Sequence, residues 1–269
     1  MKISVVNTSS FYPLSNYSWN SKNNIKKISA GKSEKINFMG YPDLIKKSVE
    51  LGPEIKTTKE YVEVLDRIYN YRNSENQFIY NAQFNLTSYP NVSKEQEGIL
   101  LYAGTSDLSG DINRFLSGRQ MRDMTEPMAK DVVRVLDYSL KDLDKEFGRY
   151  SGLVYRQGFF PEKGEQFISS TSVPEIAATL RGGILSNSKM NFSIIKTKNG
   201  HRIDKFQAKM ESDYAEEEEE ILLSRKSKYK EILNPQGIYR MEKDKFIRML
   251  ELYGHCPIRN SQVRVFEEI

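Results

Sequence analysis

A single cysteine, Cys256, cannot form an internal disulfide, so no disulfide framework holds this fold. That thiol and two histidines, His201 and His255, are too few for a Cys/His zinc centre. Serine hydrolysis would have to use one of only two imidazoles, which is thin support for a Ser-His mechanism. The longest uninterrupted apolar runs are a few residues, and no transmembrane helix is expected. No G-x-G-x-x-G or Walker segment occurs, so a nucleotide would be held without a Rossmann or P-loop cradle. A dense basic stripe is also missing. The 40 Lys and Arg against 36 Asp and Glu leave a net charge of +4, and an isoelectric point near 8.8 is poor evidence for nucleic-acid binding.

The 269 residues suit one sizeable domain with extensions, or two small ones. Apolar residues make up 38% and charged residues 28%, enough for a core, while the mean hydropathy of −0.60 implies a polar surface or a solvated tail. The 16 tyrosines and 13 phenylalanines favour mixed α+β structure over a polar coil. Residues 1–40 differ from the rest. Asn7 to Asn24 is rich in Ser, Asn and Tyr, and Lys and Ser continue to Lys35. The apolar start Met1 to Val6 is not followed by an apolar core of signal-peptide length. This segment reads either as an unstructured terminus or as the unstructured type of secretion signal that bacterial effectors carry. Ordered structure is expected from about Tyr41, giving a main domain over 41–269.

Within that domain the first half is helical. Thr57 and Glu60 have capping-box spacing ahead of Tyr61, Leu65, Ile68 and Arg72, predicting a helix over about 58–71. Ser93 with Gln96 predicts a second, ending at Gly104. A short helix is expected over 111–117, stopped by Gly118. The best amphipathic pattern is Val132, Leu136, Leu140, Leu143 and Phe147, predicting a long helix over 127–146. After Tyr150 the pattern changes to short β-like runs at 153–155, 166–169, 191–197, 219–223 and 263–267, separated by Gly, Pro, Asn and Lys. Helices first and strands later argue for an α+β domain and against a βαβ array.

Three segments of the second half could carry chemistry. In Val154-Tyr155-Arg156-Gln157-Gly158, an arginine at the end of an apolar strand offers a planar, permanently charged fork suited to phosphate or carboxylate. In Phe167 to Ser172, strand alternation puts Ser170 on the face opposite Ser169 and Thr171. Those hydroxyls can serve strand-end and cap bonding, for which Ser172, Pro174 and Glu175 have the right spacing. Equally, a buried hydroxyl there could hold a catalytic side chain. The third segment is a run of five glutamates, Glu216 to Glu220, which enters Ile221-Leu222-Leu223. An acidic run is usually a solvated face. As a strand, it places Glu218 and Glu220 on one face, where two carboxylates can divide charge stabilisation and proton acceptance.

In this order and context the three segments resemble the ADP-ribosyltransferase toxins and effectors of the arginine–serine–glutamate class. Arg156 stands in an apolar-Tyr-Arg-x-Gly strand, Ser170-Thr171-Ser172 follows Phe167, and a Glu-x-Glu pair directly precedes Ile221-Leu222-Leu223, with Ser227-Lys228-Tyr229 close behind. Upstream, Leu101-Tyr102-Ala103-Gly104 and Ile112-Asn113-Arg114-Phe115-Leu116 are similar to the family's Tyr-Thr-Gly and Ile-Asn-x-x-Leu segments, with Ala103 where a threonine is common. The resemblance spans about residues 97–229.

What the resemblance implies is an α+β fold of two antiparallel sheets packed at a steep angle around an NAD cleft and flanked by helices. Residues 41–269 would be the catalytic domain. NAD would be consumed as a cosubstrate without a metal, its ADP-ribose passing to a side chain of a host protein. The Glu at position 218 is the family's mark for arginine acceptors. Glu220 would stabilise the ribose cation, Ser170 would orient Glu220, and Arg156 would pair with the pyrophosphate or ribose. Gln157, Gly158, Thr171 and Ser172 would join the NAD site. Glu218 would bind the acceptor guanidinium and take its proton, and Tyr214 lies in the acceptor-presenting loop. Delivery from a bacterium into a host cytosol fits the lack of disulfides, and a host activator is compatible with the pattern. Two other readings stand beside it: an NAD glycohydrolase using water as acceptor, and a catalytically silent protein whose acidic run binds a basic partner. Neither a nucleic-acid partner nor a membrane span is expected.

Overall fold

The computed structural model describes residues 49–70, 89, 91–103, 106–122, 124–158, 166–179, 191–210, 219–254 and 258–269. The N-terminal segment 1–40, Tyr214, Glu218 and Cys256 lie outside the described residues.

Helix α1 runs Thr58–Asn70 and buries Tyr61, Val64, Leu65 and Ile68, one stripe at spacings of three and four. Thr57 Oγ1 accepts the Glu60 N–H at 3.2 Å, while the Glu60 carboxylate accepts from Lys56 N–H at 2.8 Å, one residue ahead of the reciprocal capping-box position. The box expected at Ser93 does not form. Its hydroxyl makes no cap bond; the Gln96 N–H goes to the Ser93 carbonyl at 3.0 Å, and the Gln96 side chain is drawn away, donating to Glu146 at 2.7 Å and accepting from Lys209 at 3.1 Å. A 3₁₀ turn, Lys94–Gln96, therefore opens α2, Glu97–Ala103. Helix α3 spans Ser106–Leu116, starting earlier than the sequence pattern predicts. The long helix α4, Glu126–Phe147, agrees with its predicted span and ends at Gly148.

Among the described residues six strands follow: β1 Arg149–Gln157, β2 Ile168–Thr171, β3 Phe192–Arg202, β4 Glu220–Leu223, β5 Tyr229–Glu231 and β6 Val263–Glu268. Three further helices, α5 Pro174–Thr179, α6 Ile203–Lys209 and α7 Ile238–Gly254, and a 3₁₀ turn, Asn260–Gln262, complete the described elements. The α+β class is as the sequence predicts. The sheet differs in detail from two antiparallel ones. All six strands share one hydrogen-bonded ladder in the order β1-β2-β4-β3-β6-β5, with β1 also pairing to β3. The β3–β6 pair is parallel, Phe192 opposite Val263. The physical reason is the length of β3. Its first half lies between β1 and β6, and its last residues, Gly200 to Arg202, reach β4. Gly200 permits this crossing, since a Cβ there would stand 2.5 Å from Ile221 Cγ2.

Strand alternation divides the core. Leu222 and Phe167 join the helical core of Tyr61, Leu65, Ile99, Leu136 and Leu140. Val154, Ile168, Ile195, Ile221 and Leu223 point to a separate cluster. On the remaining side, Tyr155, Phe192 and Ile194 meet Phe246 and Leu250 of α7. Glu220 and Leu222 share a face of β4, as Phe167, Ser169 and Thr171 share one of β2. The candidate carboxylate thus stands at the rim of the helical core.

Candidate active site

Two ladders bring the predicted segments together. Tyr155 of β1 pairs with Thr171 of β2, and Thr171 in turn pairs with Glu220 of β4. A cleft of about 220 Å³ opens across these strand ends, lined by Tyr155, Arg156, Gln157, Ser169, Ser170 and Glu220, with Thr171 and Ile176. The Tyr155 ring is fixed from behind, with its hydroxyl on Glu242 at 3.1 Å and its ring centroid 5.0 Å from that of Phe246.

Glu220 opens β4 and is half-buried. Ser169 Oγ donates to its Oε1 at 2.6 Å, and Gln207 Nε2 donates to its Oε2 at 3.3 Å. Both carboxylate oxygens are therefore held in place. The Ser170 hydroxyl does something else: it donates to the Ile221 backbone carbonyl at 2.7 Å. The contact that the family resemblance gives to Ser170 belongs here to Ser169. The reason is register. With Thr171 opposite Glu220, the neighbours on the Glu220 face are Thr171 and Ser169, and Ser170 faces the other core with Ile221. Ser170 pins β2 to β4 and supports the site through the backbone.

Arg156, at the penultimate position of β1, donates from Nε to the Gln157 carbonyl at 3.3 Å. Burial pushes its guanidinium below the usual arginine value, while the nearby Tyr102 phenol acts in the other direction. Among the described residues no carboxylate stands within ion-pair distance of it. A half-buried cation at a cleft, with no carboxylate partner among the described residues, is suited to an anionic ligand. Tyr102 lies near both ions: burial raises its phenol well above the ordinary value, the bond from Asn113 opposes that, and the charges of Glu220 and Arg156 pull in opposite directions.

The upstream motifs are tied to the same place. Asn113 Nδ2 donates to Tyr102 Oη at 3.3 Å, and its Oδ1 accepts the Phe167 N–H at 3.1 Å, fixing the start of β2. Gly158 ends β1 with φ of +97°, a conformation that favours glycine. Its N–H reaches the Asn191 carbonyl at 2.6 Å and its carbonyl accepts from Ser193 Oγ at 2.9 Å. Ser172 turns from the cleft and donates to Glu219 Oε2 at 2.6 Å. It makes no cap bond to α5, and just ahead of that helix Thr171 Oγ1 accepts the Val173 N–H at 3.1 Å. His201 is buried with Nδ1 2.8 Å from Asp144 Oδ1, joining β3 to the end of α4.

Gln207 was not among the sequence candidates. The only signal for it was a polar residue next to Phe206 on the inner side of a short helix. The cleft of about 220 Å³ is smaller than the roughly 300–1,000 Å³ usual for a drug-sized ligand, so it has room for part of one. Arg156 and Glu220 place a cation and a carboxylate on the wall of the same cleft.

No protein-family model matches the chain, and no curated protein matches it by sequence. Among solved structures the chain is similar in outline to three transferases. With the eucaryotic mono-ADP-ribosyltransferase ART2.2 it shares 18% identity over 78% of this chain and 83% of that one, at a TM-score of 0.46. For the ADP-ribosyltransferase HopU1 of Pseudomonas syringae pv. tomato the values are 14%, 81%, 100% and 0.42. For the ADP-ribosyltransferase Vis in complex with agmatine they are 15%, 82%, 88% and 0.39. At these values the likeness is one of broad outline, and the activities named for those proteins remain theirs. Among the described residues no helix is long and apolar enough to cross a membrane.

Proposed function

We propose that this chain is an NAD-consuming mono-ADP-ribosyltransferase whose acceptor is an arginine of a host protein, acting as a bacterial effector in the host cytosol. The observation that carries the reading is the pairing, across one cleft, of a doubly held carboxylate and a half-buried arginine without a carboxylate partner among the described residues.

The reaction needs few protein groups. NAD supplies an ADP-ribosyl group by cleavage of the bond from ribose C1 to nicotinamide, whose electron pair leaves with the nicotinamide. Arg156 binds the pyrophosphate or ribose end and replaces the glycine-rich cradle that the chain lacks. Glu220, fixed by Ser169 and Gln207, faces the ribose and stabilises the positive charge that grows at C1. Because its donors are already arranged, it does so without reorganising. Tyr155 and Ile176 form the apolar part of the wall. The acceptor nitrogen then bonds to C1 and loses its proton to a carboxylate, a role that the Glu-x-Glu resemblance gives to Glu218.

Incubation with labelled NAD and a eukaryotic cell lysate tests the reading. Wild-type protein should produce a labelled protein band and free nicotinamide, and Glu220→Ala should lose both, by about 10²–10³-fold. Nicotinamide release with no labelled band points to the glycohydrolase. If neither product forms, even with added host extract, the transferase reading fails.

A further inference from the structure

We propose that Gln207 is a positioning residue for Glu220, acting with Ser169 as the second arm of a clamp on the carboxylate; this role rests on the transferase reading above. Helix α6 is seven residues long and lies directly behind β4. Its inward residues Ile203 and Phe206 are buried in the helical core beside Leu222. Gln207 follows them in the last turn and is itself 9% exposed. At that position an apolar side chain would pack against its neighbours without any polar group to satisfy. The amide instead sends Nε2 to Glu220 Oε2, 3.3 Å away, while its own Oε1 is buried with no hydrogen-bond partner among the described residues.

Burying an amide with an orphan acceptor costs stability. The one polar contact that such an arrangement provides is the bond to Glu220. A buried polar group kept at a cost to the fold, and aimed at a cleft carboxylate, is placed for that carboxylate. Ser169 holds Oε1 from β2 and Gln207 holds Oε2 from α6, so the plane of the carboxyl group is fixed from two independent elements. Its orientation toward the growing ribose charge then does not depend on the ligand.

Gln207→Met keeps the side-chain length and removes both amide atoms. Steady-state nicotinamide release is measured against NAD concentration, beside thermal unfolding. The expected result is a kcat lowered by about tenfold with KM for NAD changed less than twofold, and a melting temperature equal to or above wild type. Gln207→Glu, which keeps size and polarity but faces Glu220 with a like charge, should lower kcat further. Ser169→Ala combined with Gln207→Met should lose less than the product of the two single losses, as expected for two arms acting on one group. A Gln207→Met protein that folds and has wild-type kcat overturns the positioning role while leaving the transferase reading intact. Equal falls in stability and activity, with Gln207→Glu no worse than Gln207→Met, also overturn it, because that pattern belongs to packing. Wild-type protein that binds NAD yet releases no nicotinamide overturns the transferase reading, and this role with it.

Discussion

The helical half and the cleft treat their buried polar groups in opposite ways. Under the helices, Asp131 of α4 takes Arg67 through both oxygens at 3.1 Å and Arg134 at 3.0 Å. Asp111 of α3 is 3% exposed, and it accepts the N–H groups of Arg122 and Met124 and the guanidinium of Arg114. Asp144 serves both Arg149 and His201. Ser93 Oγ is the one buried side-chain polar atom without a partner among the described residues of that half. At the cleft, Arg156 meets no carboxylate and Gln207 Oε1 meets no donor among the described residues. Buried charge that is fully paired serves the fold. Buried polarity left open to a cavity is what a ligand completes. The difference sets the cleft apart from the helical half without reference to any relative.

That comparison can be broken most directly at Arg156. Arg156→Gln should raise KM for NAD by roughly 10- to 100-fold, the size of a lost charge-assisted hydrogen bond of about 1.5–3 kcal/mol. Its melting temperature should hold or rise, because an unpaired cation is removed from a half-buried place. A fall in stability with unchanged NAD binding would make Arg156 a structural residue. Within the cleft, Ser169→Ala should lower kcat about tenfold, whereas Ser170→Ala should act chiefly on stability, by about 1 kcal/mol. The reverse ranking would show that the working strand register differs from the one described.

In the helical half the expected signs are opposite. Asp131→Ala should reduce unfolding free energy by about 1–2 kcal/mol, since its partner Arg67 is well exposed and partly screened. Activity per folded molecule should be unchanged. The smallest effect concerns Glu268 at the end of β6, which is 4% exposed. Burial alone would raise its carboxyl; bonds from the Asn199 side chain, the Lys198 N–H, Ser227 and Thr197 outweigh burial and hold it below the usual carboxylate range. A lowered folded-state value means stabilisation that is present above the unfolded value of about 4.3 and is lost as pH falls through the folded one. Thermal unfolding should therefore be level from neutral pH to about 5 and decline below about 4. Glu268→Gln should start about 1 kcal/mol lower and decline less over the same window.

Much of this molecule can be read from residue order. The stripes of α1 and α4 emerge with small errors at their ends, because each buries one continuous face and the pattern repeats enough to be seen. For β1 and β3 the sequence locates the apolar centre but not the length, 153–155 against 149–157 and 191–197 against 192–202, because their neighbours in the ladder extend them beyond the apolar run. Helix α7 was not anticipated. It buries only Phe246 and Leu250 fully and exposes Ile238, Met241 and Leu252, so its apolar residues do not trace a single stripe. Strand β5 is three residues long and exists because β6 gives it partners, Tyr229 opposite Glu268. No local pattern of that length distinguishes a strand from a turn.

The site divides along the same line. Sequence alone singles out the segments that meet at the cleft, Arg156 with its strand, the serine strand and Glu220 before an apolar triplet, since each residue's chemistry and its flanking pattern are local. It also determined that Ser169 and Ser170 point to opposite faces. Which of those faces Glu220 shares was decided by the pairing of Thr171 with Glu220, far apart in order but opposite in the ladder. The tertiary structure likewise decided that Gln207 reaches that carboxylate and that Arg156 lacks a carboxylate neighbour among the described residues. A side chain's type is fixed by the chain; its partners are fixed only when distant backbone segments choose a register and a crossing, and hydrogen bonds act over about 3 Å.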